Sequence, residues 1–163
     1  MRVFAAGLVG LALLGPGVAQ AQEASLRPDQ AAFRAIYKEL VETNTTLSVG
    51  SCTQAAAQLG ARLKSAGFVD ADLTYFALSE KPREGGLVAI LKGSDPKAGA
   101  VLLLGHLDVV EARREDWTRD PFTLIEEGGY FYARGTSDMK GLDAIWVDTL
   151  MRLKQGKTPP KLR

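Results

Sequence analysis

Histidine and cysteine are nearly missing from this sequence: His106 and Cys52 are the only ones among 163 residues. One thiol forms no internal disulfide even in an oxidising compartment, and it builds no cysteine metal site, so Cys52 is expected to pack as a small hydrophobe. Charge of one sign is also lacking. Twenty Lys and Arg stand against nineteen Asp and Glu, and nothing in that balance draws the chain to nucleic acid, to an anionic membrane or to a polyacidic partner. Internal repeats and low-complexity tracts are absent, and no apolar run after the amino terminus approaches the roughly 20 residues that span a bilayer. The length allows one domain with a real core.

The amino terminus has the features of a secretory signal: a positive start at Arg2, an apolar run from Val3 to Leu14, and Ala19-Gln20-Ala21 where a signal peptidase needs small residues. Cleavage after Ala21 is expected. A membrane anchor is the competing reading, but the run is short and Gly15-Pro16-Gly17 interrupts its end. The expected product is exported, periplasmic or secreted, and free of the membrane once the signal is removed.

After a polar stretch over 22–30, Phe33, Ile36, Tyr37, Leu40 and Val41 recur at helical spacing. A second helix is predicted with Ser51 or Thr53 as its cap, Ala55, Ala56, Leu59, Leu63 and Ala66 on one face, and Gly67 at its end. Three strands are predicted next, Leu73 to Leu78, Leu87 to Leu91 and Ala100 to Leu104, separated by Pro82, Gly85-Gly86 and Asp95-Pro96. Ala100-Val101-Leu102-Leu103-Leu104 shows no polar alternation, which predicts a central strand covered on both faces. A charged surface run from Glu111 to Asp120 precedes a hairpin, Phe122 to Glu126 and Tyr130 to Ala133 around Gly128-Gly129. A last helix follows, with Leu142, Ile145, Trp146, Thr149, Leu150 and Leu153 at helical period until Gly156 and Pro159-Pro160. This order predicts an α/β fold with ligands gathered at strand carboxyl ends.

Polar residues of interest fall at such an end. Gly105-His106-Leu107-Asp108 begins where the apolar run stops. Residues two apart on an extended chain project to one side, so Asp108 can accept one ring N–H of His106 and leave the other nitrogen for a metal. A loop histidine beside a turn-forming aspartate is the plainer alternative. Asp138, within Arg134-Gly135-Thr136-Ser137-Asp138-Met139-Lys140-Gly141, reads either as a carboxylate before a helix, favoured by the dipole, or as one aimed into the strand-end crevice to bridge two divalent cations. Trp117 and Asp120-Pro121-Phe122 read as an aromatic-anchored loop with ordinary turns. Arg134 either contacts a substrate carboxylate or ties down its own loop.

Taken in order, Gly105-His106-Leu107-Asp108-Val109-Val110, Trp117 with Asp120-Pro121-Phe122, and Tyr132 to Gly141 resemble the amino-terminal part of a known family. It comprises the zinc-dependent amidohydrolases and exopeptidases that include acetylornithine deacetylase, succinyl-diaminopimelate desuccinylase, aminoacylase and glutamate carboxypeptidase. The resemblance implies a three-layer α/β sandwich with a mostly parallel central sheet flanked by helices. His106 would bind one zinc, Asp138 would bridge two, and Asp108 would hold His106 in place, with a cis bond between Asp138 and Met139. Cobalt or manganese would suit the same donors. The implied reaction is cleavage of a small peptide or N-acyl amino acid next to a free carboxylate by a metal-activated water. The family's glutamate pair, its further acidic ligand, its late histidine and its dimerisation domain find no match after Gly141. Residues 22–163 are therefore expected to be an inactive piece of the catalytic domain, and the complete enzyme a homodimer. The alternative is a non-enzymatic exported α/β module or the product of a decayed gene.

Overall fold

The structure, a computed structural model, describes residues 26–95, 97–156 and 160–161. The expected signal segment over 1–21, residues 22–25, Pro96 and Pro159 lie outside them. Helix α1 (Pro28–Glu42) opens with Pro at its first position, where the missing N–H costs nothing, and Gln30 Oε1 accepts from the Arg27 N–H (3.0 Å). Helix α2 (Cys52–Ser65) is capped by Ser51, whose hydroxyl accepts from the Gln54 N–H at 3.1 Å. Thr53 instead donates to the Pro82 carbonyl. Gly67, at φ 101°, turns the chain out of α2 in the left-handed conformation that favours glycine.

Strands β1 (Leu73–Leu78) and β2 (Lys81–Ala89) pair antiparallel, from Leu73 opposite Ala89 to Ala77 opposite Gly85, with a register shift before Leu78. Pro82 and Gly85-Gly86, expected as separators, lie inside β2. An edge strand tolerates Pro, and Gly86 gives the Phe76 ring room to lie across the ladder. Strands β3 (Ile125–Glu127) and β4 (Tyr130–Tyr132) form the expected hairpin, with Gly128 and Gly129 both at positive φ as a two-residue loop of this kind requires. Helix α3 (Lys140–Gln155) closes the described fold.

The core is built from Ile36, Tyr37, Leu40 and Val41 of α1, Ala55, Leu59 and Leu63 of α2, Phe68, Leu73, Leu91 and Ala133, with Ala144 and Val147 of α3. The faces expected of α1 and α2 are buried. That of α3 is not: Leu142, Ile145 and Leu153 are exposed, while Lys140, Asp143, Ala144 and Val147 are buried. The helix is rotated so that its two charged residues nearest the amino end point inward.

The expected mostly parallel central sheet does not form among the described residues, whose two sheets are both antiparallel pairs. Ala100 to Leu104, predicted as its middle strand, belongs to neither. Val101, Leu102, Leu103 and Leu104 are 42% to 79% exposed. An unalternating apolar run is buried on both sides only where strands flank it and helices cover it, and here no described strand does. The run lines a broad cleft of about 1670 Å³ together with Val88, Ile90, Trp146 and Leu150. No helix among the described residues is long and apolar enough to cross a membrane.

Candidate metal centre

His106 follows the apolar run at the rim of this cleft, which it lines together with Asp108 and Asp143. Its Nδ1 lies 3.1 Å from the Asp108 carbonyl oxygen and 3.3 Å from Asp108 Oδ1. The short backbone turn thus supplies two acceptors for one ring N–H, and the carbonyl is the nearer. Such a bond fixes the ring so that Nε2 faces outward.

Nε2 faces Asp138, with Oδ1 at 3.1 Å. The two side chains are 32 positions apart in sequence, and the fold brings them together. Asp138 is not a cap: α3 starts two residues later, Met139 stands at its N-cap without a side-chain hydrogen bond, and the Asp138 side chain is 88% exposed. The Asp138–Met139 peptide bond is cis, as the resemblance implies. Burial on its own would lower the His106 pKa, but the carbonyl and carboxylate of Asp108 and the carboxylate of Asp138 outweigh it and raise the value above its ordinary 6.5.

The turn that carries Asp138 is tightly held. Gly135 has φ 83°, and a Cβ there would come within 2.8 Å of Val109 Cγ1 and 3.1 Å of Lys140 Cδ. The Arg134 N–H donates to the Pro121 carbonyl (2.7 Å), and its guanidinium lies 5.1 Å over the Trp117 ring. Of the two readings of Arg134, the structure shows the one that ties down its own loop. Tyr37 Oη donates to the Thr136 carbonyl at 3.0 Å.

Two charged residues beside the site carry no sequence signal that separates them from solvent-facing helix positions. Lys140 is fully buried, with Nζ donating to the Thr43 carbonyl at 2.7 Å, and burial pushes its pKa down to about 8. Asp143 is 6% exposed, and its Oδ2 has no hydrogen-bond partner. Burial raises its pKa to about 6, with the charges of His106 and Lys140 opposing the rise. A Cβ on Gly105 would fall 2.1 Å from Asp143 Oδ1 and 2.8 Å from the Trp146 ring, so the residue before His106 has to be glycine for α3 to pack this closely.

Comparison with known proteins finds relatives of this chain. The sequence pattern of peptidase family M20/M25/M40 matches residues 102–162, a span that holds His106, Asp108 and Asp138. Acetylornithine deacetylase of Erwinia tasmaniensis is 35% identical over 118 residues, 72% of this chain and 30% of that protein. Beta-Ala-His dipeptidase of Rattus norvegicus is 46% identical over 59 residues, 36% of this chain and 12% of that protein. This chain belongs to peptidase family M20/M25/M40. The crystal structure of human carnosine dipeptidase 1 superposes with a TM-score of 0.51 at 26% identity, over 76% of this chain and 28% of that one. The chain thus spans about a third or less of the relatives it matches.

The donor chemistry agrees with membership in part. Nitrogen and oxygen donors on one tetrahedral cation stand roughly 3.3 Å apart, close to the 3.1 Å between His106 Nε2 and Asp138 Oδ1. Among the described residues, no group of three or more His, Cys, Asp or Glu side chains is placed to hold a metal ion. The pair has the donor types and spacing of two ligands on one cation, with no third such ligand placed beside it among the described residues.

Proposed function

We propose that the chain carries the front part of a metallohydrolase that cleaves a peptide or N-acyl amide bond next to a free carboxylate. The observation that carries this reading is the approach of His106 Nε2 to Asp138 Oδ1 at 3.1 Å across 32 residues of sequence, both side chains open to solvent. Zinc is the first choice of metal, with cobalt or manganese suited to the same donors. Bound there, the metal would lower the pKa of its water and polarise the scissile carbonyl.

The chain's own residues do the positioning. Asp108 holds the Nδ1 side of His106 and so presents Nε2, while Asp138, exposed at the tip of a glycine turn, offers one oxygen toward His106 and would have the other available to a second cation. The remaining donors and the carboxylate that takes a proton from the attacking water are assigned to polypeptide outside the described residues. So are the strands that would flank Ala100 to Leu104 in a three-layer sandwich. The small peptide or N-acyl amino acid substrate and a homodimeric complete enzyme follow from the family and belong to this proposal. Export rests on Arg2, the apolar run from Val3 to Leu14 and Ala19-Gln20-Ala21; a secreted product whose intact mass still included Met1 would exclude cleavage.

Calorimetric titration of the purified chain with zinc tests the centre. One site is expected, lost in both His106→Ala and Asp138→Ala, with no hydrolysis of N-acetylornithine or dipeptides by the chain alone. Zinc binding that survives both substitutions would overturn the assignment.

A further inference from the structure

The segment joining α1 to α2 is a connecting loop, yet Thr43, Thr45 and Thr46 within it are buried. Loops run over surfaces because their backbone groups need partners, and the partners found here are specific. The Thr45 hydroxyl donates to the Leu107 carbonyl at 2.6 Å, and the Val109 N–H donates to the Thr45 carbonyl at 3.2 Å. Ser48 donates through its N–H and its hydroxyl to the two oxygens of Glu111, at 3.0 and 2.8 Å. The loop therefore grips the segment that begins at His106 from the residue after it to Glu111.

The same loop also holds the turn that carries the other donor, through Lys140. Thr43 offers its carbonyl to Lys140 Nζ at 2.7 Å, and Lys140 lies two residues after Asp138 with its N–H on the Gly135 carbonyl (3.1 Å). The circuit closes where Val109, itself buried, packs against Gly135 beside the Lys140 stem. His106 and Asp138 project from two arms of this ring, and no covalent or helical element links them directly. A long, fully buried lysine that ends on a loop carbonyl has no other partner among the described residues.

We propose that Thr45 and Lys140 are positioning residues: the Thr43–Thr45 segment is a splint that fixes the separation of His106 and Asp138 by holding the His106 segment through Thr45 and the Asp138 turn through Lys140. The proposal rests on the reading of His106 and Asp138 as a metal pair. Neither positioning residue touches the metal, and each acts through backbone that carries a donor. Outer-shell partners of this kind typically alter metal affinity 10- to 100-fold.

Cobalt(II) alone is the probe, with the full chain in four forms besides the parent: Lys140→Met, which keeps the stem and removes the donor, Thr45→Val, Thr45→Ser and His106→Ala. Lys140→Met and Thr45→Val are expected to weaken cobalt binding about tenfold and to shift its visible d–d bands, Thr45→Ser to restore both, and His106→Ala to abolish binding. In metal-free protein, Lys140→Met is expected to speed hydrogen exchange of the Val109 amide, which bonds Thr45 and not Lys140, about tenfold, while the Leu63 amide in α2 is unchanged. Parent-like affinity and spectrum in both Lys140→Met and Thr45→Val would overturn the splint. If Lys140→Met does not fold, Thr45→Val, which deletes one hydroxyl and no charge, decides alone against Thr45→Ser. If the parent binds cobalt no better than His106→Ala, the metal reading fails, and unchanged Val109 exchange in a folded Lys140→Met then sinks the splint separately.

Discussion

Asp143 is a carboxylate held at a cost, and Asp143→Asn converts that cost into a measurement. Its Oδ2 is buried without a partner, and burial raises its pKa from an ordinary 3.8 to about 6 against the pull of His106 and Lys140. The folded state therefore holds this proton more tightly than the unfolded state, and ionising Asp143 opposes folding. Below about pH 4 both states are protonated and nothing is lost; above about pH 6 the full penalty applies. At ~1.4 kcal/mol per pH unit the penalty at pH 7 is about 3 kcal/mol, falling to about 0.5 kcal/mol at pH 4. Asn has the same shape and no charge to bury. Urea unfolding followed by fluorescence of Trp117 and Trp146 should find Asp143→Asn more stable than the parent by up to about 3 kcal/mol at pH 7, with the advantage nearly gone at pH 4. An advantage equal at both pH values, or none at pH 7, would refute the reasoning.

Gly135→Ala should destabilise the fold by about 2–4 kcal/mol, combining a positive φ of 83° with a Cβ pressed on Val109 and Lys140; urea midpoints measure it, and a loss below about 0.5 kcal/mol would show that the turn relaxes freely. Metal binding should weaken as pH falls, because His106 must be neutral to ligate, and its raised pKa sets the decline above pH 6.5. Zinc affinity measured from pH 8 to pH 5.5 should begin to drop before 6.5; a flat profile would mean that His106 is not the ligand.

What the sequence made legible was what local chemistry dictates. Helices α1 and α2 are readable because their apolar positions keep helical period, with Ser51 at the start of α2 and Gly67 after it, whereas α1 starts at Pro28, inside the stretch over 22–30 expected only to be polar. The β3–β4 hairpin is readable because two consecutive glycines supply the two positive φ values its loop needs. Helix α3 was legible in extent but not in orientation. Periodicity puts Leu142 and Ile145 inward, whereas the helix buries Lys140 on Thr43 and Asp143 against Gly105. Charge is ordinarily the marker of a solvent face, so a helix that turns charge inward defeats the pattern.

Strand β2 extends through Pro82 and Gly85-Gly86 because cross-strand pairing with β1 overrides residue preference, a tertiary effect no local window contains. In the site, His106 and Asp138 were each ambiguous alone, and their ordered motifs made them candidates. Lys140 and Thr45 were invisible as partners, since a lysine Nζ reaching a loop carbonyl 97 residues away leaves no trace in spacing.

The bare stretch from Val101 to Leu104 also governs how the chain behaves in solution. Four successive branched aliphatic side chains without proline or charge, open to water and with no ladder partner among the described residues, form the kind of segment that nucleates cross-β association between copies. Self-association should rise with concentration, and any polypeptide that supplies a matching strand would act on this chain as a solubilising chaperone as well as a structural complement.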